Sequence, residues 1–211
     1  RLVFVSENGE LFGEEYTLVT IADYVLSQSR GNCVSNLSSS RALSDIAHVR
    51  ESQYFAAAVG EVNVVEKMKE CSAQIGGEGN GGIIYPTLHY GRDSLVGIAL
   101  FLTYLAKLKI ANSDINVSSV RAKYPNYFMA KEKIDLSPSA DIDKLLNRVE
   151  DNYKKENVNR VDGLKIDFED KWVHLRKSNT EPIIRIYTEA KSRKEADDLA
   201  VNFVSELNKI S

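Results

Sequence analysis

From Leu2 to Lys107, short apolar runs of strand character alternate with segments whose apolar residues recur at helical spacing. That alternation constrains the fold more than any other feature. Leu2–Val5 reads as a strand, and Glu7-Asn8-Gly9-Glu10 as a tight turn, because Asn-Gly accepts the backbone angles of a hairpin. Glu14–Ser29 sets Leu18, Ile21, Ala22, Val25 and Leu26 at helical spacing and is stopped by Arg30-Gly31-Asn32. Cys33–Leu37, Tyr54–Val59 and Ser72–Gly77 read as strands, with helices Ser40–Val49 and Asn63–Cys71 between them. Asp93 can cap a long helix, Ser94–Lys107, which is apolar on nearly every face and is therefore predicted to be buried. Strands alternating with helices imply a layered α/β/α domain with a mixed sheet.

The pattern changes after residue 111. A short helix, Ser118–Lys123, ends at Tyr124-Pro125, where the residue before proline is pushed out of the helical region. This places a domain boundary near residue 124, with a hinge expected there. Beyond it come strands Tyr127–Ile134, Arg160–Phe168, Trp172–Arg176 and Ile183–Glu189, and helices Ser139–Lys155 and Ser192–Lys209. Ser192 and Glu195 have capping-box spacing. Four strands with short links and two helices predict a smaller α+β domain, an antiparallel sheet with helices on one face.

Charge and thiols narrow the chemistry. The net charge of -3 gives no overall pull toward nucleic acid or an anionic membrane, so any anion must be captured by a local site. Cys33 and Cys71 lack CxxC spacing, and His48, His89 and His174 are scattered, so neither a disulfide framework nor a metal site is expected. The apolar stretch Leu95–Leu105 is too short to span a membrane, and no targeting signal is visible, which suggests the cytoplasm.

Two segments carry chemistry. In Arg176-Lys-Ser178-Asn179-Thr180-Glu181-Pro182-Ile-Ile-Arg185, Arg176 and Arg185 bring guanidinium forks that match phosphate oxygens in pairs. Ser178 and Thr180 add hydroxyl donors, and the Ser178-Asn179-Thr180 backbone can form an anion-binding nest. Glu181 does not suit an anion site and is expected to point away, toward an arginine. An ordinary polar hairpin is the competing reading. In Gly76-Gly77-Glu78-Gly79-Asn80-Gly81-Gly82, glycines permit close backbone approach to a ligand. Glu78 accepts hydrogen bonds and Asn80 both donates and accepts, which suits sugar hydroxyls. A flexible glycine loop is the competing reading. Gly60-Glu61-Val62-Asn63 and Gly91-Arg92-Asp93 read as turns with helix caps, with ligand roles the less favoured alternative.

Together these segments resemble the α-D-phosphohexomutase superfamily, which includes phosphoglucomutase/phosphomannomutase and phosphoglucosamine mutase. Arg176-x-Ser178-Asn179-Thr180-Glu181-Pro182 with Arg185 resembles the phosphate loop of that family's fourth domain. Gly77–Gly82 resembles the sugar loop of its third, in a glycine-ending variant. The resemblance implies three parts: 1–10 as the tail of a second domain, 11–124 as a sugar-binding third domain, and 125–211 as a phosphate-binding fourth. Arg1-Leu2-Val3-Phe4 resembles the end of the second domain's metal loop and the strand after it. The Mg²⁺-binding aspartates and the catalytic phosphoserine would then lie outside this chain. Glu61 stands where some relatives have a histidine, and Ser38 where they have a lysine.

The resemblance implies a parent enzyme that interconverts hexose 1-phosphate and hexose 6-phosphate through a bisphosphate intermediate. These 211 residues would hold substrate without turning it over. A non-catalytic sugar-phosphate-binding protein is the alternative. A nucleic-acid module using the arginine loop is a third reading, opposed by the acidic balance.

Overall fold

Every residue from Tyr16 to Leu26 is buried, so the first helix is surrounded by protein rather than laid on a surface. In the computed structural model, which describes residues 1–137, 141–178 and 181–210, this helix organises the first of two units, Arg1–Pro125 and Asn126–Ser211. In chain order the first unit contains α1 (Glu14–Gln28), β1 (Asn32–Asn36), α2 (Ala42–Val49), β2 (Gln53–Ala57) and α3 (Glu61–Glu70). It continues with β3 (Ala73–Glu78), β4 (Gly82–Ile84), α4 (Ser94–Ala111) and α5 (Val117–Arg121).

The sheet order is β2-β1-β3-β4, with β1 parallel to β2 and β3, and β4 antiparallel to β3. Alternation along the strands decides which helix meets which face. Val34, Ala57, Ala73 and Ile84 pack with Val64 and Met68 of α3 on one face. Gly77 approaches Leu18 of α1, and Gly97 of α4 lies against Ile21 and Ile83, on the other. The result is a mixed-sheet α/β/α sandwich.

Asp23 of α1 is buried and accepts from Arg50 Nε (2.6 Å), Tyr104 Oη (3.1 Å) and Tyr124 Oη (2.9 Å). One carboxylate thus ties α1 to the end of α2, to α4 and to the residues after α5. Desolvation, then the Asp23 charge, pushes the Tyr104 and Tyr124 phenols up, so both stay protonated as donors.

Three expectations are corrected here. The long helix α4 is not buried: Gly97 and Phe101 are, while Leu95, Leu102 and Ile110 are exposed. Only one stripe of it meets neighbours, so composition on all faces overstated its burial. Leu2–Val5 forms no ladder among the described residues beyond a single bridge from Val5 to Leu11, although the Asn8-Gly9 turn is present and Phe4 stacks on Phe101 at 4.0 Å. A two-stranded ribbon this short gains little from pairing. α3 begins at Glu61 rather than Asn63, because Gly60 at φ 122 supplies the sharp turn; Asn63 Nδ2 donates to Val59 O instead of capping.

The second unit contains β5 (Phe128–Asp135), α6 (Ile142–Asn152), β6 (Asn157–Asn159), β7 (Leu164–Asp167), β8 (Trp172–Lys177), β9 (Ile183–Ala190) and α7 (Arg193–Ile210). Its antiparallel sheet has the order β5-β9-β8-β7-β6. Leu146, Val149, Leu199, Phe203 and Leu207 of the two helices pack on one face, against Ile134, Leu164, Ile166, Val173, Leu175, Ile184 and Ile186. The sheet has five strands, not four. β6 escaped prediction because Val158 is the one apolar residue between two asparagines. Ser139, where the sixth helix was expected to start, lies outside the described residues; the described helix is capped by Asp141, whose side chain accepts from Lys144 N at 3.0 Å. Ser192 Oγ accepts from Glu195 N at 3.2 Å and its hydroxyl meets the Glu195 carboxylate at 2.8 Å, a capping arrangement at α7.

Candidate functional site

In the first unit, β1, β2 and β3 run parallel, and their carboxyl ends are where an α/β sheet gathers ligands. Glu78, the last residue of β3, is buried there. Asn36 Nδ2, from the end of β1, donates to Glu78 Oε1 at 3.0 Å, and Arg92 Nη1 donates to Oε2 at 3.2 Å. Arg92 also holds Glu61: its Nη2 is 2.8 Å from Glu61 Oε2, and its backbone N–H donates to Oε1 at 3.1 Å. Those bonds, the backbone one first, hold the Glu61 carboxyl below the usual range. Glu61, the first residue of α3, stands just past the end of β2.

The turn after β1 braces the glycine loop. Gly79 N–H donates to Ser39 Oγ (2.9 Å), Ser39 Oγ donates to Asn36 Oδ1 (3.1 Å), and Ser38 N–H donates to the same oxygen (3.0 Å). Asn80 Oδ1 is buried with no hydrogen-bond partner. Gly81, at φ +77, lies so close to Leu2 that a Cβ there would meet Leu2 O at 2.1 Å. The chain therefore needs glycine at this bend. Sequence reasoning singled out Glu78 and Asn80 and missed Asn36 and Ser39; it favoured caps for the Glu61 and Arg92 segments. Asp93 is indeed a cap, accepting from Leu95 N and Val96 N at 2.8 and 3.1 Å, but Glu61 and Arg92 converge on the glycine loop.

In the second unit, Arg176 of β8 and Arg185 of β9 are direct cross-strand partners. Both side chains therefore stand on the face opposite the helices, about 4.5–5.5 Å apart at Cβ. The loop between them closes through Ser178 N–H to Ile183 O at 3.0 Å, and Ser178 is half-buried. Asn179 and Thr180 lie outside the described residues. Arg176 Nε lies 2.9 Å from Asp162 Oδ2 in a contact not aligned as a hydrogen bond. Glu181 reaches Arg185 Nη2 at 3.9 Å. Lys133 of β5 is the cross-strand partner of Arg185, so three cations stand abreast on one sheet face. Like charges directly opposite destabilise a sheet, and an anion between them would relieve that cost. Arg1 is exposed.

His174, behind Arg176 on the same strand face, is buried, and its Nε2–H donates to Asp162 O at 2.6 Å. Burial lowers its imidazole from 6.5 to about 4, with the Lys165 and Arg176 charges adding to the effect. The folded state therefore holds a neutral ring that the unfolded chain would protonate. Its stabilisation is complete above the unfolded value and is lost as pH falls toward 4, at about 1.4 kcal/mol per pH unit. Urea unfolding of the second unit is expected to weaken between about pH 7 and pH 4 accordingly. His174→Gln, which keeps a donor for Asp162 O, should remove that part of the pH dependence; an unchanged slope would refute the assignment.

Among the described residues, no group of three or more His, Cys, Asp or Glu side chains is placed to hold a metal ion. Cys33 and Cys71 are free; burial raises the Cys33 thiol to about 12, leaving it unreactive.

Two family models cover most of the chain. Residues 13–126 match the phosphoglucomutase/phosphomannomutase α/β/α domain III, and residues 131–206 match the C-terminal domain of the same family. The chain belongs to the phosphoglucomutase/phosphomannomutase family. A phosphoglucomutase/phosphomannomutase of Thermococcus kodakarensis is 35% identical over 199 residues, which are 93% of this chain and 42% of that protein. A phosphoglucosamine/phosphogalactosamine mutase of Sulfurisphaera tokodaii is 36% identical over 154 residues, 72% of this chain and 32% of that one. The chain thus spans less than half the length of these relatives. Among solved structures, a phosphoglucomutase/phosphomannomutase family protein from Burkholderia thailandensis superposes with a TM-score of 0.79 at 22% identity, over 99% of this chain and 44% of that one. An N-acetylphosphoglucosamine mutase of Aspergillus fumigatus, solved with GlcNAc-6P and magnesium, has a TM-score of 0.58 at 15% identity, over 97% and 49%. α4 is long and apolar enough to cross a membrane by length and composition alone, but it falls within the span matched by domain III.

Proposed function

We propose that this chain is the substrate-holding part of an Mg²⁺-dependent phosphohexomutase acting on a hexose phosphate of the glucose, mannose or glucosamine series. The observation that carries the reading is the cross-strand pair Arg176 and Arg185 flanking the Ser178 loop. Two opposed guanidinium forks make an anion site with little sequence of its own, able to take a phosphate from either end of a hexose. Arg176, Ser178, Asn179, Thr180 and Arg185 bind the phosphate, and Glu78 and Asn80 take sugar hydroxyls. The names of the relatives, mutases of glucose-, mannose- and glucosamine-type phosphates, support the substrate class.

Phosphoryl transfer needs a nucleophile, and Mg²⁺ supplies charge neutralisation when bound. Among the described residues, no three His, Cys, Asp or Glu side chains are grouped to hold an ion. By the family resemblance, the metal loop and phosphoserine belong to the polypeptide by which the relatives exceed this chain. A coupled assay of glucose 1-phosphate conversion should show no turnover by the 211 residues alone. Sustained conversion by the purified chain would show that it contains its own nucleophile and defeat the division of labour.

A further inference from the structure

We propose that Arg92 is the positioning residue of the sugar loop, fixing the Glu78 and Glu61 carboxylates as a rigid pair of acceptors for neighbouring hydroxyls of a pyranose. The inference rests on the reading of Gly76–Gly82 as a sugar loop and deepens it. Arg92 lies outside that loop, in the segment between β4 and α4, yet its two Nη atoms each reach a different carboxylate. One belongs to the end of β3 and the other to the start of α3, the two ends farthest from the short turn that joins these packed elements. A planar guanidinium sets both direction and separation, which a lysine point charge does not.

The packing leaves space for this one side chain. A Cβ on Gly82 would meet Arg92 Cδ at 2.8 Å and Asn80 Oδ1 at 3.2 Å, so the glycine gives room for the arginine stem to pass beside the loop. The bridge does not exhaust its partners. Glu78 accepts one side-chain hydrogen bond at each oxygen, from Asn36 and from Arg92, leaving lone pairs over. Side-chain exposure rises outward, from 6% at Glu78 to 33% at Glu61 and 35% at Arg92, so the bridge leads from the buried loop to solvent. Asn80 Oδ1 contributes a further acceptor without a hydrogen bond of its own. Carboxylates that accept, beside a guanidinium with unused N–H groups, offer both functions that adjacent hydroxyls require.

The test is a ¹H–¹⁵N titration of the whole 211-residue chain with glucose 6-phosphate and, separately, with inorganic phosphate. The wild type should respond to the sugar phosphate at amides of both 76–82 and 176–185, and to inorganic phosphate at 176–185 alone. Arg92→Gln should lose the 76–82 response and weaken glucose 6-phosphate binding by about tenfold or more, while inorganic phosphate binds as before. Arg92→Lys should recover part of the affinity. Glu61→Gln, which removes one end of the bridge, should fall between wild type and Arg92→Gln, and it stands in if Arg92→Gln does not fold. If both loops respond in the wild type and the variants match it, the positioning role is overturned and the sugar loop stands. A wild type that responds only at 176–185, or nowhere, overturns the sugar-loop reading and the inference with it.

Discussion

Arg176→Ala is expected to weaken hexose-phosphate binding by the chain roughly 10- to 150-fold, the loss of one charge-assisted contact of about 1.5–3 kcal/mol. The reason lies in the register. Arg176 stands opposite Arg185, with Lys133 next in the row. In the free protein these cations repel across strands, and each has only a partial answer in a carboxylate: Asp162 for Arg176, Glu181 for Arg185, Asp135 for Lys133. Removing Arg176 deletes a phosphate fork and leaves Asp162 at the site, where its charge opposes an anion. The same change relieves a like-charge cross-strand pair, so the melting temperature should hold nearly steady. Calorimetric titration beside a thermal melt separates the two effects. Unchanged affinity would refute the phosphate assignment, and a collapsed melt would show that Arg176 is mainly structural.

Asp23→Ala should cost the first unit about 3–5 kcal/mol, a large part of the roughly 5–15 kcal/mol that holds a domain folded. Asp23 is 4% exposed and accepts from Arg50, Tyr104 and Tyr124 together. Its removal leaves a guanidinium and two phenols without their shared acceptor in a region packed by α1. Tyr124→Phe removes only one donor and should cost about 1 kcal/mol. Urea unfolding of the first unit measures both. A loss below about 1 kcal/mol for Asp23→Ala would mean that water replaces the carboxylate and that the network ties nothing together.

Much of the fold was legible because periodicity reports burial on one face, and most elements of both units obey it. α4 misled because its composition is apolar all round, while only the stripe with Gly97 and Phe101 meets neighbours. β6 was hidden because a three-residue edge strand held by backbone pairing to β7 needs no apolar pattern. At the site, arginines, hydroxyls and clustered glycines announced themselves by residue type. Asn36, Ser39, Glu61 and Arg92 did not. Each is an ordinary turn or cap residue in the sequence, and each gains its meaning from strands whose carboxyl ends meet only after folding. Buried Asp23 had the same character, a lone acid in an apolar helix whose partners lie 27, 81 and 101 residues away.

One chain is expected to offer a general phosphate site together with a sugar site. The most direct measurement is calorimetric titration of the 211-residue chain with glucose 1-phosphate, glucose 6-phosphate and free glucose. Both phosphates should bind, with affinities within about tenfold of each other, and glucose should bind more weakly than either by about tenfold or more. Binding of one phosphate isomer alone, or of glucose as tightly as its phosphates, would contradict it.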